Sequence, residues 1–159
     1  MNLLIAEDHP AIQLFNSRLM QSWGFSCDLA YDGVEAVSLA RKREGHYDLC
    51  VMDVEMPRMN GIEAIAAIRH YVGYFPILAL TSDHRYEAPC LAAGADGFAL
   101  KPCAPETLLE KIRTLTRYGD GSGPGVYRMR RAAADTDSSK THKEDKVECA
   151  ARTQRAQAG

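Results

Sequence analysis

Five times between residues 1 and 118 the sequence switches between two hydrophobic periods, and this alternation limits the fold more than any other feature. Short runs rich in Leu, Ile and Val read as buried strands at Asn2–Ala6, Phe25–Ala30, Tyr47–Asp53, Pro76–Thr81 and Gly97–Leu100. Between them the apolar residues recur at helical spacing. Ile12, Phe15 and Leu19 mark the expected inner face of a first helix, with Pro10 in its first turn. Val34 and Val37 follow Asp32, a good N-cap. Ile62, Ile65 and Ile68 follow Asn60, and Leu108, Ile112 and Leu115 follow Pro105. The fourth helix is the weakest, because Pro89 falls inside its pattern and proline in a helix interior costs about 3 kcal/mol. Either that helix starts near Ala88-Pro89 and is short, or it is kinked. Repeated strand-then-helix units predict an α/β fold, a doubly wound five-stranded parallel sheet flanked by five helices. In such folds ligands sit beyond the carboxyl ends of the strands.

Residues 119–159 differ in kind. Gly119-Asp120-Gly121-Ser122-Gly123-Pro124-Gly125 has the composition of a linker. From residue 120 on, eight Lys+Arg stand against six Asp+Glu, with almost no large apolar residue after Met129. Such a segment buries too little to offset its ordering entropy, so a disordered, removable tail is expected. The chain of 159 residues carries a net charge of −2, which gives no bulk-charge reason to expect direct binding of nucleic acid or a membrane surface. Its start meets Glu7-Asp8 without a basic region, which argues against a signal peptide. The five cysteines, Cys27, Cys50, Cys90, Cys103 and Cys149, form no C-x-x-C pair, and a reducing, cytoplasmic setting is expected.

Chemistry-bearing residues gather at the predicted strand ends. Glu7 and Asp8 follow the first strand, Asp53 closes the third, Thr81 closes the fourth, and Lys101-Pro102 follows the fifth. Taken singly, each has an ordinary explanation. Asp8 suits an N-cap, Asp53 a turn residue, Thr81 the end of a strand and Phe98 core filling. The histidines His9, His46, His70 and His84 read as solvent-facing or capping residues. Taken together, three carboxylates in one place repel one another and raise one another's pKa unless cations compensate. Lys101 supplies one positive charge, and a hard divalent cation with oxygen ligands, such as magnesium, supplies the other two. That combination suits phosphoryl transfer to a carboxylate nucleophile.

The blocks Leu3-Leu4-Ile5-Ala6-Glu7-Asp8-His9, Val51-Met52-Asp53-Val54-Glu55-Met56-Pro57-Arg58-Met59-Asn60-Gly61, Ala79-Leu80-Thr81-Ser82 and Ala93-Gly94-Ala95-Asp96-Gly97-Phe98-Ala99-Leu100-Lys101-Pro102 occur in this order. Over residues 1–118 the chain resembles the receiver domain of two-component response regulators, of the chemotaxis-regulator kind. The resemblance implies a flavodoxin-like strand order 2-1-3-4-5 and a phosphoacceptor at Asp53. Magnesium would be held by Asp8, Asp53, the backbone carbonyl of Glu55 and, through water, Glu7. Thr81 and Lys101 would contact the phosphoryl oxygens, and Phe98 would be the switch aromatic. Pro102 would follow a cis peptide bond. Glu55 and Asp83, two positions after Asp53 and Thr81, would border the phosphoryl group and tune its hydrolysis. The implied donor is a histidine kinase or histidine phosphotransfer protein. The implied output is an unidentified protein effector, with dimerisation on phosphorylation as a further expectation. The implied role is that of a signalling module that catalyses only its own phosphorylation and dephosphorylation.

Two positions depart from the family pattern. Cys103 stands where a larger apolar residue is usual, and the stretch from Thr81 to Gly94 is short. Three alternatives stand beside the main reading. A magnesium-dependent phosphatase with an aspartyl nucleophile would want Asp rather than Glu at position 55, and it leaves Glu7 and Asp8 unexplained. A receiver fragment of a hybrid kinase would carry the same blocks. A degenerate receiver that works without phosphorylation would not need the full acidic set with Thr81 and Lys101.

Overall fold

The computed structural model describes residues 1–117. Five strands form one parallel sheet: β1 (Asn2–Ala6), β2 (Ser26–Ala30), β3 (Leu49–Asp53), β4 (Ile77–Thr81) and β5 (Gly97–Leu100). Five helices alternate with them: α1 (Pro10–Ser22), α2 (Gly33–Lys42), α3 (Gly61–Tyr71), α4 (Glu87–Ala93) and α5 (Pro105–Arg117). The strand order is β2-β1-β3-β4-β5, as the resemblance implies. Strands β2, β3 and β4 are shorter at their starts than the apolar runs suggest. The expected boundary near residue 118 and the tail lie outside the described residues.

Alternate strand residues point to opposite faces of a sheet, and here each face has its own core. On one face Leu4, Cys50, Met52 and Ile77 pack with Ala36 and Ala40 of α2, Ile65 and Ile68 of α3 and Cys90 of α4. On the other, Leu3, Ile5, Val51, Leu78 and Leu80 pack with Met20 of α1 and with Leu108 and Ile112 of α5.

Two helices turn differently from the apolar spacing. On α1 the buried residues are Gln13, Asn16, Ser17 and Met20, whereas Phe15 is 61% exposed and Ile12 38%. The reason is hydrogen bonding. The Gln13 side-chain amide donates to the carbonyls of Glu7 (3.1 Å) and Ala30 (2.9 Å), which satisfies two backbone groups where strands end. On α2 the small residues Gly33, Ala36 and Ala40 face inward and Val34 is exposed, so the helix lies close to the sheet. Helices α3 and α5 bury the faces that the spacing predicts.

Helix α4 takes the first of the two predicted forms. It has seven residues, and a 3-10 turn at His84–Tyr86 precedes it. Pro89 therefore sits in its first turn, where the missing N–H would have had no helical partner.

Candidate functional site

The carboxyl ends of β1, β3, β4 and β5 meet on one side of the sheet. The register places Ala6 beside Met52, Asp53 beside Leu80 and Thr81 beside Leu100, so the residues that end or follow these strands converge. Glu7, Asp8 and Asp53 each offer a carboxylate oxygen, and the three atoms lie within 4.8 Å of one another. Glu7 and Asp53 are buried and Asp8 is exposed. Lys101 Nζ donates to Glu7 Oε2 and to Asp53 Oδ2, both at 2.7 Å. The Lys101–Pro102 peptide is cis. Asp8 does not cap α1: the N-cap residue is His9, whose side chain makes no capping bond and whose N–H donates to Glu7 Oε1 at 3.3 Å.

The electrostatics follow from burial. Glu7 has its pKa raised, first by loss of hydration and also by the charge of Asp53, while its hydrogen bond with Lys101 opposes the shift. For Lys101 burial favours the neutral amine, but the hydrogen bonds to Asp53 and Glu7 outweigh it and the pKa rises. The ammonium is therefore held charged against the carboxylates. These oxygen-only, acidic donors, one of them open to solvent, fit a hard divalent cation.

Backbone around Asp53 is tightly placed. Asp53 Oδ1 accepts from Val54 N (2.7 Å) and Glu55 N (3.4 Å). Gly61 N donates to Val54 O at 2.8 Å, and a Cβ on Gly61 would stand 2.1 Å from the Asp53 carbonyl oxygen. Glycine is thus required for α3 to start this close to Asp53. Asn60 and Glu63 form a capping box at the same point.

The other residues singled out in the sequence lie as follows. Thr81 is buried at the end of β4, and its hydroxyl accepts from Asp83 N at 3.4 Å. Phe98 is half-buried on β5 against the core that α2, α3 and α4 cover. Glu55 is exposed and its carboxylate accepts from Ser82 Oγ at 3.1 Å, which links the loops after β3 and β4. The Asp83 carboxylate is taken up by Arg85, whose hydrogen bonds lower its pKa to about 2.

The sequence reading missed several contributors. Gln13 and Ser82 are two; Arg58, bonded to the buried Asp32, is a third. A groove of about 590 Å³ also went unread. It runs from Asp53 and Lys101 between Ile12, Phe15 and Leu19 of α1 and the segment Pro102, Cys103 and Leu108. The small side chain at position 103 was its one legible signal.

The family model described as the response regulator receiver domain matches residues 3–113. The chain belongs to the response regulator receiver family. Among relatives of this receiver, the transcriptional regulatory protein CusR of Escherichia coli K12 is 36% identical over 123 residues, covering 75% of this chain and 52% of CusR. The response regulator MprA of Mycobacterium leprae is 41% identical over 120 residues, covering 74% of this chain and 51% of its own. The chain thus spans about half the length of the curated relatives it matches. Among solved structures, the receiver superposes on the chemotaxis protein CheY4 of Vibrio cholerae with a TM-score of 0.65 and 33% identity, over 72% of this chain and 97% of that one. It superposes on the receiver domain of the sensor histidine kinase PA1611 of Pseudomonas aeruginosa with a TM-score of 0.68 and 28% identity, over 73% and 97% of the two chains. That structure has a magnesium ion coordinated in its active-site cleft. Among the described residues, no helix is long and apolar enough to cross a membrane.

Proposed function

We propose that this receiver accepts a phosphoryl group on Asp53 from a phosphorylated histidine of a kinase or phosphotransfer protein, and that magnesium is the metal of the site. The observation that carries this reading is the bridge from Lys101 Nζ to both Glu7 and Asp53 inside a three-carboxylate cluster. Asp8, Asp53 and the Glu55 carbonyl would hold magnesium, with Glu7 acting through water, and the ion would supply positive charge to the phosphoryl oxygens. An Asp53 carboxylate oxygen attacks phosphorus, the P–N bond to the imidazole breaks, and the electron pair stays on the imidazole nitrogen. Lys101, paired with Asp53, would follow the charge as it moves onto the phosphoryl oxygens, and the Thr81 hydroxyl would donate to one of them. The chain then acts on itself alone, as substrate and catalyst of one transfer.

The donor's side of the encounter has a natural seat. A protein that brings phosphohistidine to Asp53 must cover the ground beside it, and the groove along Ile12, Phe15 and Cys103 opens onto that ground. Exposed apolar surface next to a reactive site suits a partner's apolar side chain.

Mass measurement after incubation with acetyl phosphate and magnesium tests the acceptor. The wild-type chain should gain one phosphoryl group, and Asp53→Asn should gain none because an amide is a poor nucleophile. Equal labelling of the variant would refute the assignment, and undiminished labelling with every divalent ion chelated would refute the metal.

A further inference from the structure

Arg58 is the one described residue other than glycine with a positive φ, 63°. It is the middle of a very tight turn: Met59 N donates to Pro57 O at 2.7 Å, skipping a single residue. A turn of this kind is strained, and glycine would occupy it without the steric conflict of a Cβ. A long charged side chain at such a place suggests that the side chain compensates for the backbone strain.

The guanidinium faces the start of α2. Its Nε and Nη2 both bond to Asp32 Oδ2, and Nη2 also reaches Glu35 Oε1 at 3.5 Å. The Asp32 side chain is only 3% exposed while that of Arg58 is 57% exposed, so the pair is half shielded from water. Asp32 is itself fixed, because its Oδ1 accepts from Glu35 N at 2.9 Å and caps α2. A second bond lies alongside: Gly33 N donates to Met59 O at 3.1 Å, and a Cβ on Gly33 would come within 2.4 Å of that oxygen. Backbone and side chain together fasten the turn at Pro57–Met59 to α2.

Besides the buried side chains of Val54 and Met56 and the bond from Gly61 N to Val54 O, two further ties hold the segment between β3 and α3. One is at the Asp53 end, where Asp53 Oδ1 takes the amides of Val54 and Glu55. The other is the Arg58 turn. The Glu55 carbonyl comes after the first of these ties, and the Glu55 side chain accepts from Ser82 Oγ. The carbonyl thus belongs to a short stretch whose far end the Arg58 turn fixes.

We propose that Arg58 is a positioning residue for the metal: by tying the turn to Asp32 it fixes the Glu55 carbonyl and so sets the affinity of the Asp53 site for magnesium. The inference rests on the metal reading given above. A bond that served folding alone would leave that affinity unchanged.

Calorimetric titration of the full chain with magnesium chloride tests it. Arg58→Gly removes the guanidinium and relieves the strained φ, so its melting temperature should stay near that of the wild type. Its magnesium dissociation constant should rise about tenfold, as when groups that orient metal ligands are removed. Asp32→Asn keeps an oxygen to cap α2 but removes the charge, and it should weaken magnesium by a similar factor. Combined, the two changes should weaken binding no more than the stronger single change, because they break one tie. Rises of at least about threefold in both variants, without additivity, support the proposal, given that such positions commonly matter by tenfold or more. Smaller rises, or effects that multiply in the double variant, overturn it. Should Asp32→Asn fail to fold, the Arg58→Gly value decides against the same threshold. Normal magnesium binding by the wild type with indifferent variants removes the tie alone, whereas a wild type that binds no magnesium removes the metal reading with it.

Discussion

Around Asp53, single side chains do separable jobs, and Glu55 is the one whose job is least obvious. It stands two positions along the chain from Asp53, and its carboxylate accepts from Ser82 across the gap between the loops after β3 and β4. An aspartyl-phosphate is hydrolysed by water arriving in line with the acyl-phosphate bond. That water is neutral, so charge repulsion by Glu55 is weak and obstruction should decide. Glu55→Ala should therefore shorten the phosphorylated lifetime, read as phosphate release over time; an unchanged or longer lifetime would show that Glu55 does not shield the bond. Asp83, the other acidic neighbour, is engaged by Arg85 and has less freedom to orient that water. The gathering of Glu7, Asp8, Asp53 and Lys101 was legible because their chemical types stand at strand ends. Arg58 and Gln13 were not legible. Each acts through a partner far along the chain, Asp32 for Arg58 and Ala30 for Gln13, and no local pattern announces such a bond.

The elements were legible wherever burial alone chose the helix face. Helix α1 shows where this fails. Ile12, Phe15 and Leu19 repeat at helical spacing, and so do Gln13, Asn16, Ser17 and Met20; the polar set won because Gln13 satisfies two strand-end carbonyls. The face left outside is available to a partner. Phe15→Ser should slow phosphoryl transfer from a phosphorylated donor protein severalfold, yet leave labelling by acetyl phosphate at the wild-type rate. Equal loss with both donors would mean that the change disturbs the site itself. At the start of α2, burial of Asp32 favours its neutral form, but hydrogen bonds from Glu35 N and Arg58 prevail and its pKa falls below the ordinary 3.8. A carboxylate whose pKa is lower in the folded state adds stability above its unfolded pKa and loses it as pH falls through the folded value. The gap in melting temperature between wild type and Asp32→Asn should therefore be constant near neutral pH and close below about pH 4. A gap that persists in acid would show that the charge of Asp32 does not stabilise the fold.

For the molecule as a whole, the site is a built-in liability that a cation relieves. The described core is drawn from strands and helices packed on both faces of the sheet, yet two of its buried groups are the carboxylates of Glu7 and Asp53. Lys101 is the cation that the chain places against them, and its Nζ is shared between the two. Removing it leaves three carboxylates with oxygens within 4.8 Å and no paired ammonium. Breaking a fully buried pair costs about 3–5 kcal/mol. The Lys101 side chain is 20% exposed, so water recovers part of that loss. Lys101→Ala should thus melt at a lower temperature than the wild type without divalent ions, with its fold retained. Magnesium should act in the opposite direction, because a ligand at one hundred times its dissociation constant stabilises the folded state by about 2.7 kcal/mol. For a domain of roughly this size that is a rise on the order of 10 °C. Coulomb attraction makes the ion bind more tightly to the cluster that has lost its ammonium, so the rise should be larger in Lys101→Ala than in the wild type. Phosphorylation should move the other way. The ion should restore the stability of the variant without replacing the ammonium proposed to follow charge onto the phosphoryl oxygens, so labelling by acetyl phosphate should remain slow even at saturating magnesium. Thermal melts of both proteins with and without magnesium, paired with labelling rates, separate the two roles. A variant that labels at the wild-type rate, or that gains no more from magnesium than the wild type does, would show that Lys101 is not the counter-charge of this site.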